Sequence, residues 1–381
     1  MKILVGLSGG VDSAIAAYLL KQQGHDVTCA FMRNWDSMVN NDMLGNPTLN
    51  EEICPQEKDY KDASDVAKLL GLKLERIDFI QEYWQDVFET FLSEYQKGRT
   101  PNPDILCNKY IKFDRFMDYA MKQGYEMIAT GHYAIVEHNN AGSIMKKAID
   151  LNKDQSYFLC QISQESLKRS LFPLGNMNKF EVRALAEQLG LSIAKKKDST
   201  GICFIGERNF RQFLKNYLPS KPGNIVDVSD GQVLRQHDGV LYYTIGQRKG
   251  LNIGGEGGPW FVVGKDVHQN ELYVAGQGRD ELLYSDECRI VRFNQLFDQD
   301  WSKPVHCMAK FRYRQEDKPV ILERIDKDTL RCLYPQQVAA VTCGQEAVFY
   351  LDDLVLGGGV IDQVYKKGCT MDEWIKREIK K

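Results

Sequence analysis

The sequence predicts an α/β fold: a doubly wound parallel sheet at the N-terminus, then a small central β domain and a C-terminal β-barrel. Two observations predict it. Short apolar runs alternate with helix-period segments through the first 130 residues, as in a parallel sheet covered on both faces. After Cys203, Gly, Pro and short β-rich runs dominate, at the spacing of one or two small barrel modules.

The elements follow in order. Lys2 to Leu7 reads as a buried strand, and Ser13 to Gln23 as a helix stopped by Gly24. Asp26 to Met32 is the next strand, and the polar stretch Arg33 to Glu57 reads as a loop insertion. Tyr60, Ala63, Val66, Ala67 and Leu70 share one helical face, which Gly71 ends. Leu72 to Ile77 is a third strand, and Glu82 to Tyr95 a long helix with apolar Trp84, Val87, Phe88, Phe91 and Leu92. Met127 to Thr130 runs as a strand into Gly131-His132, and Phe180 to Leu189 is helical. Strands are then expected at Gly223 to Val228, Val240 to Thr244, Trp260 to Val263 and Glu271 to Val274. Val305 to Tyr313, Val320 to Ile325 and Ala347 to Leu351 continue the β pattern. The basic tail from Lys366 reads as a surface helix that frays. Expected boundaries are 1–205, 206–282 and 283–365, with a tail over 366–381.

Composition narrows the function. With 381 residues, 43% hydrophobic and 27% charged, the chain has core enough for two or three soluble domains. No stretch approaches the roughly 20 apolar residues of a membrane span. Met1 to Leu7 is too short for a signal-peptide core, so a cytoplasmic location is expected. Ten cysteines without any C-x-x-C argue against a disulfide framework, zinc ribbons and iron–sulfur clusters, and no protein-built metal site is expected. The net charge of -3 does not exclude nucleic acid. Between Lys179 and Lys215, eight Lys or Arg face four acids, which suits a phosphate backbone or a solvated helix face equally.

The string Gly6-Leu7-Ser8-Gly9-Gly10-Val11-Asp12-Ser13 joins the first strand to the first helix, where an open α/β sheet binds ligands. Two positions without Cβ let backbone approach an anion, and helix-start N–H groups can point at it. Neither a Walker A loop nor a dinucleotide Gly-x-Gly-x-x-Gly occurs. A plain αβ turn capped by Asp12 or Ser13 is the simpler reading. The whole Ser-Gly-Gly-x-Asp-Ser string, however, resembles the PP-loop of the ATP pyrophosphatase superfamily. That resemblance implies cleavage of ATP to AMP and pyrophosphate while a carbonyl or carboxyl oxygen is adenylated.

Two further strings choose among such enzymes. Arg99-Thr-Pro-Asn-Pro-Asp-Ile-Leu-Cys-Asn-Lys109 sets Asp104 and Cys107 three apart, on one side of a helical turn. Lys195-Lys-Lys-Asp-Ser-Thr-Gly-Ile-Cys-Phe-Ile-Gly-Glu-Arg208 places Cys203 just after three lysines, and positive charge favours thiolate. With Asn34-Trp35, Thr130-Gly-His-Tyr133, Lys153-Asp-Gln-Ser-Tyr-Phe158, Thr244-Ile-Gly-Gln-Arg-Lys-Gly250 and Ala340-Val-Thr, these strings are similar to the tRNA-specific 2-thiouridylase family over about residues 2–362.

The resemblance implies a role for each matching position. Residues 6–13 with Met32 and Gly131 would hold ATP with Mg²⁺. Asn102, Pro103 and Asp104 would meet the target base, with Asp104 as general acid/base. Cys203 would carry a persulfide, and Cys107 would attack its inner sulfur, leaving a transient Cys107–Cys203 disulfide. His132, Lys153, Asp154, Gln155, Arg312, Tyr313 and Gln345 would touch tRNA. The implied partners are tRNAs for Lys, Glu and Gln, through their wobble uridine, and a sulfur donor, either a cysteine desulfurase or a relay carrier. Cys343 stands before Gly344-Gln345 where many relatives carry proline, and Asp36 to Pro55 is divergent.

Other readings predict different residues. An amide-forming synthetase of the same superfamily needs no paired thiols. A tRNA-binding protein with a vestigial loop need not keep the whole Ser-Gly-Gly-x-Asp-Ser string, and an iron–sulfur thiolase would carry C-x-x-C.

Overall fold

The computed structural model describes residues 1–46, 55–139, 142–198, 209–219, 221–254 and 257–379. The chain divides into two compact units. The first comprises Met1–Glu89, Pro103–Phe213 and Asp353–Val355; the second comprises Thr90–Asn102, Leu214–Asp352 and Leu356–Lys381.

The first unit is built on a parallel sheet. Strands β1 (Lys2–Gly6), β2 (Asp26–Arg33), β3 (Lys73–Asp78), β4 (Met127–Ala129) and β7 (Ser170–Leu171) lie in the order β3-β2-β1-β4-β7. Ile3, Leu4 and Val5 of β1 are fully buried, because a central parallel strand is covered on both faces. Helix α1 (Val11–Gln22) buries Ala14, Ile15, Ala16, Ala17 and Leu20; the three alanines let it lie close to its neighbours. Helix α2 (Pro55–Leu70) ends before Gly71, whose φ of 61° supplies the left-handed stop. Strands β5 (Ile135–Asn139) and β6 (Gly142–Lys146) form an antiparallel hairpin absent from the sequence reading.

Two long helices, one of which runs past Glu89 into the second unit, are not uniform. The helix over 80–96 contains a π-helical segment at Tyr83–Phe88, and the helix over 103–122 contains another at Cys107–Arg115. The two segments pack on each other. Such wider turns are frequent at functional sites. Trp35 stacks on Trp84 at 6.1 Å between centroids and meets Phe88 edge-on at 4.9 Å. That anchors the start of the segment read as an insertion, and Asp36 Oδ1 then caps the Met38 and Val39 amides.

The second unit holds two β modules. In the first, β8 (Gly223–Asp227), β9 (Val233–His237), β10 (Phe261–Asp266) and β11 (Glu271–Ala275) lie in the order β10-β11-β8-β9. The second is a six-stranded barrel of β12 (Tyr284–Gln295), β13 (Val305–Lys310), β14 (Lys318–Arg324), β15 (Leu330–Ala339), β16 (Glu346–Leu351) and β17 (Leu354–Lys366). Its order is β12-β15-β14-β13-β16-β17, and β12 pairs back with β17 to close it.

Two expectations are corrected. Val240–Tyr242 is a 3₁₀ turn rather than a strand. Gly239 enters it at a φ of 152°, its amide donates to His237 Nδ1, and the Tyr242 hydroxyl donates to the Leu218 carbonyl. The tail does not fray: the helix Met371–Ile379 buries Ile375 among Val263, Tyr273 and Ala275 of the central module.

Candidate active site

The loop 6–13 leaves the carboxyl end of β1, between β2 on one side and β4 on the other. This is the switch point where an open sheet opens a crevice. The loop is preformed. Ser13 Oγ accepts from the Ser8 amide at 3.1 Å, contacts Ser8 Oγ at 3.1 Å and donates to the Gly10 carbonyl at 3.1 Å. Gly9 holds a φ of 75°, and a Cβ there would lie 2.3 Å from the Asp59 carbonyl oxygen. Gly131 has the same steric need: a Cβ would lie 2.6 Å from the Ser13 amide nitrogen. Met32 stands behind Gly6, its Cε 3.1 Å from where a Cβ would sit. The first-turn N–H groups of α1 have no intrahelical partner, so the loop offers donors to an anion.

A network of buried charge flanks the loop. Lys179 Nζ donates to both Asp12 oxygens, at 2.7 and 2.8 Å, and lies 2.8 Å from Asp198 Oδ1. Lys153 reaches Asp198 Oδ2 at 2.6 Å, and Arg183 reaches Oδ1 at 2.8 Å. Burial pushes the Asp198 carboxyl up, but hydrogen bonds from Lys153 and Lys179 outweigh it and bring the carboxyl to about 2. The Tyr133 hydroxyl donates to Asp12 Oδ1 at 2.8 Å. Burial, then the Asp12 charge, holds that hydroxyl protonated far above the usual tyrosine range. Lys196 Nζ binds Asp59 at 2.7 Å, Asp62 at 2.6 Å and the Gly9 carbonyl at 3.1 Å.

The sequence missed this network. Lys179, Arg183, Lys196 and Asp198 entered only as members of a charged window, and nothing local marks a lysine that will be 9% exposed. Of the lysine run 195–197, Lys196 is engaged inside the protein, while Lys195 and Lys197 are exposed. The run therefore does not act as one phosphate-binding strip.

Asp104 and Cys107 lie in the helix that starts at Pro103. Asp104 is half-buried, and burial raises its carboxyl above the usual range against the opposing pull of Lys112. Cys107 is buried and opens the π-helical segment. Asn108 Nδ2 beside it donates to the Phe158 carbonyl at 2.9 Å. Cys203 lies outside the described residues, as do 199–208 as a whole and Cys54. Asn102 belongs to the second unit, and Pro103 to the first.

His132 is buried at 9% exposure, with Nδ1 2.7 Å from Thr130 Oγ1 and its ring against Phe113 and Phe172. Burial, helped by the Lys112 charge, keeps it neutral well below its ordinary range. Asp154 accepts from the Ala148 amide at 3.0 Å and the Ser156 hydroxyl at 2.8 Å. Gln155 Oε1 accepts from the Tyr133 amide at 3.0 Å. The 153–158 string thus fixes the chain after β4. In the second unit, Arg312 donates to the Ile245 carbonyl and Thr342 Oγ1, both at 2.9 Å. Tyr313 is half-buried beside it, and Gln345 Nε2 donates to the Thr100 carbonyl.

Comparison with known proteins agrees with this arrangement. Residues 1–207 match a family profile described as a tRNA methyl transferase HUP domain. Residues 211–276 match a tRNA methyl transferase PRC-barrel domain, and 285–361 an aminomethyltransferase beta-barrel domain. A glycine-rich loop at the switch point of a parallel sheet, followed by two β modules, fits a HUP-domain enzyme with β-barrel appendages. The tRNA-specific 2-thiouridylase MnmA of Mycoplasma capricolum is 54% identical over 372 residues, 96% of this chain and 99% of that protein. The protein of the same description from Acholeplasma laidlawii is 52% identical over 370 residues, 96% and 98% of the two chains. The chain belongs to the tRNA-specific 2-thiouridylase family.

Proposed function

We propose that this enzyme is a tRNA-uridine 2-sulfurtransferase that adenylates the C2 oxygen of the wobble uridine and replaces it with persulfide sulfur. The observation that carries the reading is the preformed loop 6–13, at the switch point of a unit that also carries Cys107. Residues 6–13, Met32 and Gly131 bind ATP. Mg²⁺ suits the loop, because that ion takes one or two carboxylates plus substrate phosphates. Asp12 is the loop's carboxylate, but both its oxygens accept from Lys179, so the phosphates would supply most of the ion's ligands and the ion would neutralise their charge.

A uracil C2 carbonyl has no leaving group. Its oxygen attacks the α-phosphorus of ATP, pyrophosphate departs, and C2 becomes an electrophile bearing AMP. The terminal sulfur of the Cys203 persulfide attacks C2. The Cys107 thiolate attacks the inner sulfur, the S–S pair passes to the sulfur on C2, and AMP leaves with its oxygen. The products are 2-thiouridine, AMP and a Cys107–Cys203 disulfide, which an external thiol reduces. Asp104, its carboxyl raised by burial against the opposing charge of Lys112, is suited to move a proton at the base.

Asn102 and Pro103 hold the base. His132, Lys153, Asp154, Gln155, Arg312, Tyr313 and Gln345 set the tRNA surface, the buried His132 through its hydrogen bond to the Thr130 hydroxyl and the buried Asp154 by holding the Ala148 amide. The uridine must leave the anticodon stack, at a cost of a few kcal/mol. The tRNAs for Lys, Glu and Gln are the substrates, the sulfur comes from a cysteine desulfurase or a relay carrier, and the cytoplasm is the location.

The test is mass spectrometry of nucleosides from tRNA incubated with enzyme, ATP, Mg²⁺ and a persulfide source. 2-Thiouridine should appear with wild type and vanish with Cys203→Ser. Full turnover by Cys203→Ser would overturn the sulfur-transfer reading.

A further inference from the structure

Lys179 joins two parts of the first unit that are far apart in sequence. One is the phosphate loop, through both oxygens of Asp12; the other is Asp198, through Oδ1. A largely buried lysine carries a heavy desolvation cost, which only close carboxylates on well-held atoms offset. Both partners are well held. Asp12 also accepts from Tyr133. Asp198 belongs to no helix or strand, yet three cations fix it: Lys179, Arg183 and Lys153. Arg183 further donates to the Ala194 and Lys196 carbonyls, at 2.8 and 3.1 Å. Two residues earlier, Lys196 binds the Gly9 carbonyl. The chain at 196–198 is therefore pinned to the phosphate loop at two points. Cys203 follows five residues later, and a chain extends at most about 3.6 Å per residue, so its Cα stays within about 18 Å of that of Asp198.

We infer that Lys179 and Asp198 are positioning residues for sulfur delivery: their bridge to Asp12 fixes the point from which the Cys203-bearing chain leaves, beside the loop that holds the nucleotide. Neither touches the reacting atoms. Asp198 acts through the chain it anchors, and Lys179 acts on both ends of the bridge. The two therefore differ in a way that a purely structural network would not produce. Losing Asp198 removes one anchor of the chain at 196–198 while Lys179 still holds Asp12. Losing Lys179 disturbs that anchor and the loop together. The inference rests on the sulfurtransferase reading.

The experiment compares Asp198→Asn, Lys179→Met and Lys179→Arg in the full-length enzyme with tRNA, ATP, Mg²⁺ and a persulfide source. Two quantities are read: tRNA-dependent pyrophosphate release, and 2-thiouridine formed per pyrophosphate released. Asp198→Asn should keep pyrophosphate release within about threefold and lower the ratio at least tenfold, taking a tenfold change as the mark of one decade in coupling. Lys179→Met should lower both, and Lys179→Arg should restore the ratio to within about threefold of wild type. A second readout needs no turnover: the rate of Cys107–Cys203 disulfide formation under dilute diamide, followed by peptide mass spectrometry, should fall about tenfold in Asp198→Asn.

A ratio unchanged while both activities fall together would overturn the inference, as would an unchanged disulfide rate. Should Asp198→Asn fail to fold, Arg183→Met removes one of its three cations and should lower the ratio and the disulfide rate in the same direction; no change in either overturns the inference. Absence of 2-thiouridine from wild type would instead sink the sulfurtransferase reading, and the diamide rates would still report on the tether.

Discussion

Lys196 donates from its ammonium to the carbonyl oxygen of Gly9 at 3.1 Å. A residue from the lysine run thus supports the backbone of the phosphate loop from below. It also neutralises Asp59 and Asp62. Burial lowers the Lys196 ammonium, but the two carboxylates more than offset this and raise it. Lys196→Met leaves both carboxylates unpaired next to the loop. The apparent KM for ATP should rise about tenfold, equivalent to roughly 1.4 kcal/mol. Titration of tRNA-dependent pyrophosphate release against ATP measures it.

Neighbouring glycines of the loop should respond unequally. Gly9→Ala would force a left-handed φ and drive a Cβ to 2.3 Å from the Asp59 carbonyl oxygen, so the loop or the start of α2 must move. Gly10 has a φ of -103°, and a Cβ there would meet only Ser8 Oγ at 3.4 Å. Calorimetric ATP binding should weaken more than tenfold in Gly9→Ala and less than threefold in Gly10→Ala, a gap of more than about 0.7 kcal/mol.

Lys112 links two titrations. Its charge opposes the burial that raises Asp104, and it adds to the burial that depresses His132. Lys112→Met should therefore move both values upward. For Asp104 the ionised form becomes harder to reach, so the acidic limb of the kcat–pH profile shifts to higher pH. For His132 the charged form becomes easier to reach, which imidazole NMR would register as an upward shift. Opposite directions for the two groups would refute the shared cause.

Asp198 should act as an acid-stability element. Its folded carboxyl titrates at about 2 against an ordinary value of 3.8. The stabilisation is present above the unfolded value and is lost as pH falls from about 4 towards 2, and the shift corresponds to about 2 kcal/mol at neutral pH. Urea unfolding of wild type and Asp198→Asn should differ most at pH 7 and converge only at about pH 2 and below.

Ile375 tests the docked tail. It is 1% exposed against Val263, Tyr273 and Ala275, so Ile375→Ala should cost about 2–5 kcal/mol. Thermal unfolding should show the loss in the second unit, with the ATP-binding affinity of the first unit preserved.

The phosphate loop was legible because its chemistry is contiguous: glycines, a helix start and two serines within eight residues. Strand ends at β1, β2 and β3 were readable to within a residue or two: the edge strand β3, mostly exposed or half-buried, follows the stop at Gly71, and the buried β1 and β2 leave plain apolar runs. Val240–Tyr242 misled for the same reason. Its apolar residues pack as a strand would, but Gly239 and the Tyr242–Leu218 hydrogen bond turn the backbone. The β5–β6 hairpin escaped because Ile135–Asn139 is exposed along much of its length. The Lys179 bridge was invisible in principle, since its partners stand 167 and 19 residues away and a charged side chain is ordinarily solvated.

The barrel closes through β12 against β17, the first of its strands against the last. With its two end strands paired to each other, the barrel leaves no open sheet edge among the described residues to template a foreign strand. The same closure sets a timing rule for synthesis. Until the ribosome has released Leu354–Lys366, the five earlier strands form an open sheet with two bare margins, and that interval is when a nascent chain of this family is most exposed to cross-pairing with its neighbours.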